Sequence, residues 1–143
     1  MKNLPEWKSG ALLILRLGLG AIFLMHGSQK ALGLFGGGGL QATVQNFQAQ
    51  LGIPPVLGYT AALTEFLGGI ALIGGLLTRL AALGIGVVMG VAIWKVHLAN
   101  GFFMNWFCKP GQGQGIEYNL ALLAIALALV LTGGGSYSLD SKL

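Results

Sequence analysis

The sequence predicts an all-α integral membrane protein: a four-helix bundle with an amphipathic loop helix between spans one and two. Three observations carry this. Hydrophobic types make up 55% of the 143 residues and charged types 8%, with mean hydropathy +0.77. A water-soluble domain carries about a quarter charged residues, and disorder needs low hydrophobicity and high charge. Apolar segments of near-spanning length recur along the chain, as a hydrocarbon core roughly 30 Å thick requires. The 25 glycines follow no Gly-X-Y period, and small residues let membrane helices approach closely. At this length, residues 1–143 read as one transmembrane domain.

The first span, about 10–32, holds ALLILRLGLGAIFLM and is interrupted by Arg16. Lys2 and Lys8 precede it, as in a signal peptide. No A-x-A-like cleavage site follows, and the chain continues into HGSQK, so the segment reads as a retained span. FGGGG at 35–39 reads as a flexible break. Leu40, Val44, Phe47 and Leu51 then recur at helical spacing, ended by Gly52 and Pro54-Pro55, which predicts a one-sided apolar helix. It carries no charge and is expected over the bundle mouth or in the interface plane.

The second span, about 57–77, contains Glu65. A tight turn at Thr78-Arg79 leads into the third, about 80–98, which ends in Lys95 and His97. NGFFMNWFCKPGQGQG follows, and Phe102, Phe103, Trp106 and Phe107 suit an interfacial belt or a ligand wall. The fourth span covers about 117–133. Both long connections follow an odd number of crossings and so share one side, where function is expected. The terminal side carries Lys2, Lys8, Arg79 and Lys142, against Lys30, Lys95 and Lys109 on the loop side. Excess Lys/Arg inside places both termini in the cytoplasm, in a plasma (inner) membrane.

Ionisable groups at bilayer depth are costly and face the bundle interior or a wet cavity. Helical phase puts Glu65 on a face with Gly58, Ala61, Ala62, Gly68 and Gly69. It puts Arg16 with Gly20, Gly27 and Lys30; Arg79 with Gly86, Gly90 and His97; and Glu117 with Ala121, Ala124 and Ala128. Depth suggests Arg16 with Glu65 as a buried pair, with Glu65–His26 as the alternative. Structural readings stand beside these. Arg16–Glu65 could be a register clamp, Lys30 and Lys95 could snorkel to headgroups, and Glu117 could only favour a helix N-terminus.

Histidine exchanges protons near neutral pH, and a carboxylate in apolar surroundings can be brought to do so. Such a set suits the two-electron, two-proton chemistry of a lipid-soluble quinone at an apolar mouth. No ligand spacing such as H-x-x-x-H or C-x-x-C points to a metal, and no phosphate-binding loop or nucleophile elbow occurs. The sole cysteine, Cys108, cannot form an internal disulfide. Net charge is +4 without a Lys/Arg run, so nucleic acid is no expected partner. A second copy could pack on Gly86 and Gly90.

RLGLGAIFLMHGSQKALGLFGG at 16–37, LGIPP at 51–55, TEFLGGIALIGGLLTRLAALG at 64–84, His97 with GFF at 101–103, GIEYNLALLAIALAL at 115–129 and SLD at 138–140 together resemble the DoxX family of small four-span membrane proteins. The resemblance implies Arg16, His26, Gln29, Lys30, Glu65, Arg79, His97, Glu117, Tyr118 and Asn119 as polar signature positions. It also implies a link to thiosulfate:quinone oxidoreductase or to quinone-linked relatives. Other members are integral partners of redox enzymes such as superoxide dismutase and sulfurtransferase.

The resulting expectation is a membrane oxidoreductase component linking a small, sulfur-type reductant to the quinone pool. His26, Glu65, His97 and Arg16 form its catalytic set. Gln29, Lys30, Lys95, Glu117, Asn119 and Trp94 form its substrate-binding set. The alternative is a non-catalytic scaffold that docks a soluble redox enzyme on the loops.

Overall fold

The structure is a computed structural model that describes residues 5–143. Helix α1 spans Glu6–Leu32, α2 Gly39–Leu51, α3 Pro55–Gly74, α4 Thr78–Ala92 and α5 Glu117–Thr132. Helix α4 continues through a π-helical turn, Ile93–His97, and a 3-10 turn, Leu98–Asn100. A last 3-10 turn, Leu139–Ser141, closes the chain. Among the described residues there is no strand. Helix α1, helix α3 and the continuous Thr78–Asn100 segment are long and apolar enough to cross a membrane, and α5 is a shorter apolar helix. This is an all-α membrane bundle with a loop helix between the first two spans.

Helix α1 packs on α3, α4 packs on both α3 and α5, and α2 lies across α1 and α3. The α1–α3 seam is made by glycine. A Cβ on Gly27 would fall onto the backbone of Glu65 and Phe66, and one on Gly69 onto the backbone of Leu24 and Gly20. Close backbone approach of this kind replaces the apolar driving force that helices lack in lipid. On α3 the buried face is Gly58, Ala62, Glu65, Gly68, Gly69 and Leu72, with Leu63, Leu67 and Ile70 exposed, as helical phase predicts. On α1, Arg16, Gly20 and Gly27 are buried together.

The other two faces differ from expectation. Helix α4 turns Thr78, Ala82, Ile85, Gly86 and Met89 inward, while Arg79 is exposed and Gly90 faces open space. Helix α5 buries Asn119, Leu122, Ala126 and Leu129, leaving Ala121 and Ala124 exposed. Large side chains pack this half: Leu72, Ile85, Met89, Leu122 and Leu129 belong to the same core. Charge over small residues therefore describes the α1–α3 seam alone.

The α3–α4 turn lies at 75–77 rather than at Thr78-Arg79. Gly75 ends α3 in the left-handed region (φ 68°) and Leu77 also has positive φ (49°), so Thr78 and Arg79 open α4. The Asp140 carboxylate accepts the N–H of Leu77 at 2.6 Å and of Thr78 at 2.8 Å. It thus caps α4 from the far end of the chain, satisfying donors that a helix N-terminus leaves orphaned. The FGGGG segment is a packed turn rather than a flexible break. A Cβ on Gly37 would overlap the Gln29 backbone, and Gln29 Nε2 donates to the Phe35 carbonyl at 3.1 Å.

Candidate functional site

A cavity of about 950 Å³ opens at the loop-side end of the bundle. Its polar lining comes from His26 and Lys30 on α1, Thr60, Thr64 and Glu65 on α3, Lys95 and His97 on the π turn, Gln114 on the connection that follows, and Tyr118 and Asn119 in the first turn of α5. The remaining wall is apolar, including Phe23, Phe47, Leu51, Leu57, Trp94 and Leu122. Both long connections reach it, through Ile53 and Pro54 on one and Met104 and Gln114 on the other. A largely apolar cavity with a few convergent polar groups is the usual form of a small-molecule site.

Glu65 is 2% exposed, and both of its carboxylate oxygens accept from Lys30 Nζ, at 2.6 and 2.5 Å. Gly27, one helical turn before Lys30, lets α1 come close enough to α3 for this contact. The expected pair of Arg16 with Glu65, and its alternative with His26, are both replaced by Lys30–Glu65. The reason is axial position: Glu65 lies seven residues before Leu72, about 10 Å along α3. The Arg16 guanidinium, 1% exposed, donates to the carbonyls of Leu72 (3.2 Å), Ile73 (3.3 Å) and Tyr137 (3.0 Å). The first two are C-terminal carbonyls of α3, where a cation also meets the negative end of the helix dipole. Arg16 is therefore the cap of α3 and does not line the cavity.

The π turn directs the remaining groups. Sequence reading at a period of 3.6 cannot show it, although such turns are common at functional sites. Trp94, Lys95 and His97 all line the cavity there, with Lys95 Nζ 4.6 Å from the centre of the Trp94 ring. His97 Nδ1 lies 2.9 Å from the Gln114 carbonyl. A carbonyl can only accept, so Nδ1 carries a proton and Nε2 is the nitrogen left to accept one. His26 is exposed on the cavity wall. Asn119, 8% exposed, directs its amide at Met89 Sδ, 3.5 Å away.

Two residues of the expected substrate set stand outside the cavity. Gln29 holds the glycine turn. Glu117 Oε1 accepts from the Met104 N–H (3.0 Å) and from Trp106 Nε1 (2.8 Å), so it fastens the aromatic loop to α5. Asn105 orders that loop from within: it is bonded to the Lys109 and Gln112 carbonyls and to the Lys109 N–H, and its own N–H donates to Gln114 Oε1 at 2.7 Å. Asn105, Gln114 and Asp140 were not singled out from the sequence. The GQGQG and SLD segments containing two of them were the available signal.

Burial by itself would raise the Asp140 carboxyl. The Thr78 side chain and N–H, the Leu77 N–H and the Arg16 charge outweigh it and hold the group below its ordinary 3.8. No group of three or more His, Cys, Asp or Glu side chains suited to a metal occurs among the described residues.

Comparison with known proteins agrees with this architecture. The family model DoxX matches residues 11–98. The "Putative oxidoreductase CatD" of Bacillus subtilis is 31% identical over 128 residues, covering 90% of this chain and 83% of its own length. An uncharacterized protein of Haemophilus influenzae is 30% identical over 146 aligned positions, covering 99% and 97%. The "Inner membrane protein YqjF" of Escherichia coli is 28% identical over 131, covering 92% and 90%. No solved structure matches. With the family model matching more than half of its length, the chain belongs to the DoxX family.

Proposed function

We propose that this protein is a membrane oxidoreductase component that binds quinone in the loop-side cavity and links it to a small, sulfur-type reductant. The observation that supports it is the joining of a buried ion pair, two histidines and a second lysine in one largely apolar cavity. Membrane position and the name of the Bacillus subtilis relative are consistent with it.

An apolar ring finds Phe23, Phe47 and Leu122 on the wall, and its oxygens find donors at the polar end. Reduction takes up two electrons and two protons at those oxygens. The electrons come from the reductant, directly or through a partner enzyme. His97 relays protons through Nε2 while the Gln114 carbonyl holds its ring in one tautomer. Lys95 attracts an anionic reductant to the mouth. Lys30 and Glu65 fix the polar end of the wall. The termini lie in the cytoplasm of an inner membrane, so the cavity mouth faces outward.

The test is quinone-analogue binding and thiosulfate-dependent quinone reduction by purified protein in nanodiscs. Glu65→Gln and His97→Ala are each expected to weaken binding by roughly tenfold or more, about 1.4 kcal/mol. Wild-type binding and reduction in both variants would overturn the proposal.

A further inference from the structure

The polar groups occupy one end of the cavity, and the rest of it runs elsewhere. From Trp94 the cavity follows one face of α4 through Val91, Val87 and Gly84 to Leu80, near the opposite end of that helix. Fourteen residues at 1.5 Å each make this limb about 20 Å long. Helix α3 supplies the facing wall through Leu57, Ala61 and Thr64, again at helical spacing. Leu80, Val87 and Trp94 are 64%, 60% and 66% exposed, so the limb opens sideways along the membrane-spanning surface. At mid-length the two walls meet: a Cβ on Gly84 would come within 2.9 Å of Thr64 Cγ2, so the limb runs over a close α3–α4 contact that carries no side chain from α4.

We infer that this limb is a channel for the isoprenoid tail of a quinone whose ring sits at the polar end, and that the site selects long-tailed quinones arriving from the bilayer. The inference rests on the quinone reading above. Its own support is the shape of one continuous cavity, polar at the Lys30–Glu65 end and apolar along α4. A head-only ligand would use the first part and leave the limb unexplained. An apolar tail laid along these largely apolar walls gains area out of proportion to any polar contact. The lateral opening gives a membrane-dissolved molecule entry without crossing the loops.

The test compares two ligands in nanodiscs, with concentrations expressed per lipid. One is a benzoquinone with a long isoprenoid tail; the other is the same ring with a methyl group in place of the tail. The wild-type protein is expected to prefer the tailed ligand by roughly tenfold or more. Val87→Trp obstructs the limb from its exposed side, where packing is not at stake. It is expected to erase the preference and to leave binding of the methyl ligand unchanged. Leu127→Trp, which places the same side chain on α5 outside the cavity, is expected to preserve it.

Equal wild-type affinity for the two ligands would overturn the tail channel and leave the quinone site standing. It is also what an ordinary lipid chain filling the limb would produce. A preference that survives in Val87→Trp would overturn the channel as well. Binding of neither ligand would overturn the quinone reading and this inference together.

Discussion

At the residue scale the central question is whether Lys30–Glu65 is structure or site. A buried ion pair is expensive to break and often cheap to replace. Lys30→Met leaves Glu65 buried without its cation, and Glu65→Leu leaves Lys30 without its anion. Lys30→Met is expected to cost about 3–5 kcal/mol in detergent unfolding, and Glu65→Leu less, because Lys30 is half-buried and can turn its ammonium to the cavity. The double replacement should recover most of that loss while quinone binding stays reduced; recovered binding would reduce the pair to a clamp. That Glu65 is buried was readable from the sequence, because glycines and alanines share its helix face. Its partner was not. Arg16, Lys30 and His26 all lie on α1 within reach of an α3 acid, and the choice depends on axial offset. That offset is set by where Gly27 and Gly69 let the backbones touch, which no count of residues fixes to better than a turn. Histidine tautomer is a similar case: only the Gln114 carbonyl, delivered by a long loop, assigns the proton on His97.

At the scale of elements, spans and the loop helix follow from apolar periodicity, and the predicted ends of that helix, Leu40 and Leu51, lie within one residue of α2, Gly39–Leu51. What periodicity could not show were the junctions. A 3.6-residue repeat does not reveal the π turn at Ile93–His97, from which Trp94, Lys95 and His97 all line the cavity. On α4 the small-residue face holds at Gly86 but not at Arg79 or Gly90, and on α5 it does not hold at Ala121 or Ala124, because Ile85, Met89, Leu122 and Leu129 fill that half beside Ala82 and Ala126. The α4 N-terminus depends on Asp140, more than sixty positions away in sequence. Asp140→Ala is expected to cost about 0.5–2 kcal/mol, the usual worth of an N-cap. The carboxyl is held below its ordinary 3.8, so folding favours the charged form. Its contribution is complete above that ordinary value and fades as pH falls through the lower folded one. Thermal unfolding followed from neutral pH down to about 3 should show a wild-type loss that Asp140→Asn lacks; parallel curves would remove the charge from the account.

For the whole molecule, the two ends of the bundle are built differently, and the difference bears on its orientation. The terminal end is closed. Ser9 Oγ donates to Ser136 Oγ at 3.0 Å, Arg16 reaches Tyr137, and Asp140 caps α4. The loop end holds the cavity. Charge counted from sequence favoured internal termini by one residue, four against three. In the structure Lys30 is committed to Glu65 and Lys95 lies over Trp94 in the cavity wall. Lys109 remains on the loop side, against Lys8, Arg79 and Lys142 at the terminal end. Since topology follows Lys and Arg near span ends, the cavity should face away from the cytoplasm, where a sulfur reductant would meet it without crossing the bilayer. Cys108 reports on this directly. It is the sole cysteine, it is exposed, and it sits beside Lys109 on the loop-side connection. A membrane-impermeant maleimide is expected to label it in intact cells, with no gain after permeabilisation. Labelling only after permeabilisation would invert the orientation and place the reductant's entry on the cytoplasmic face.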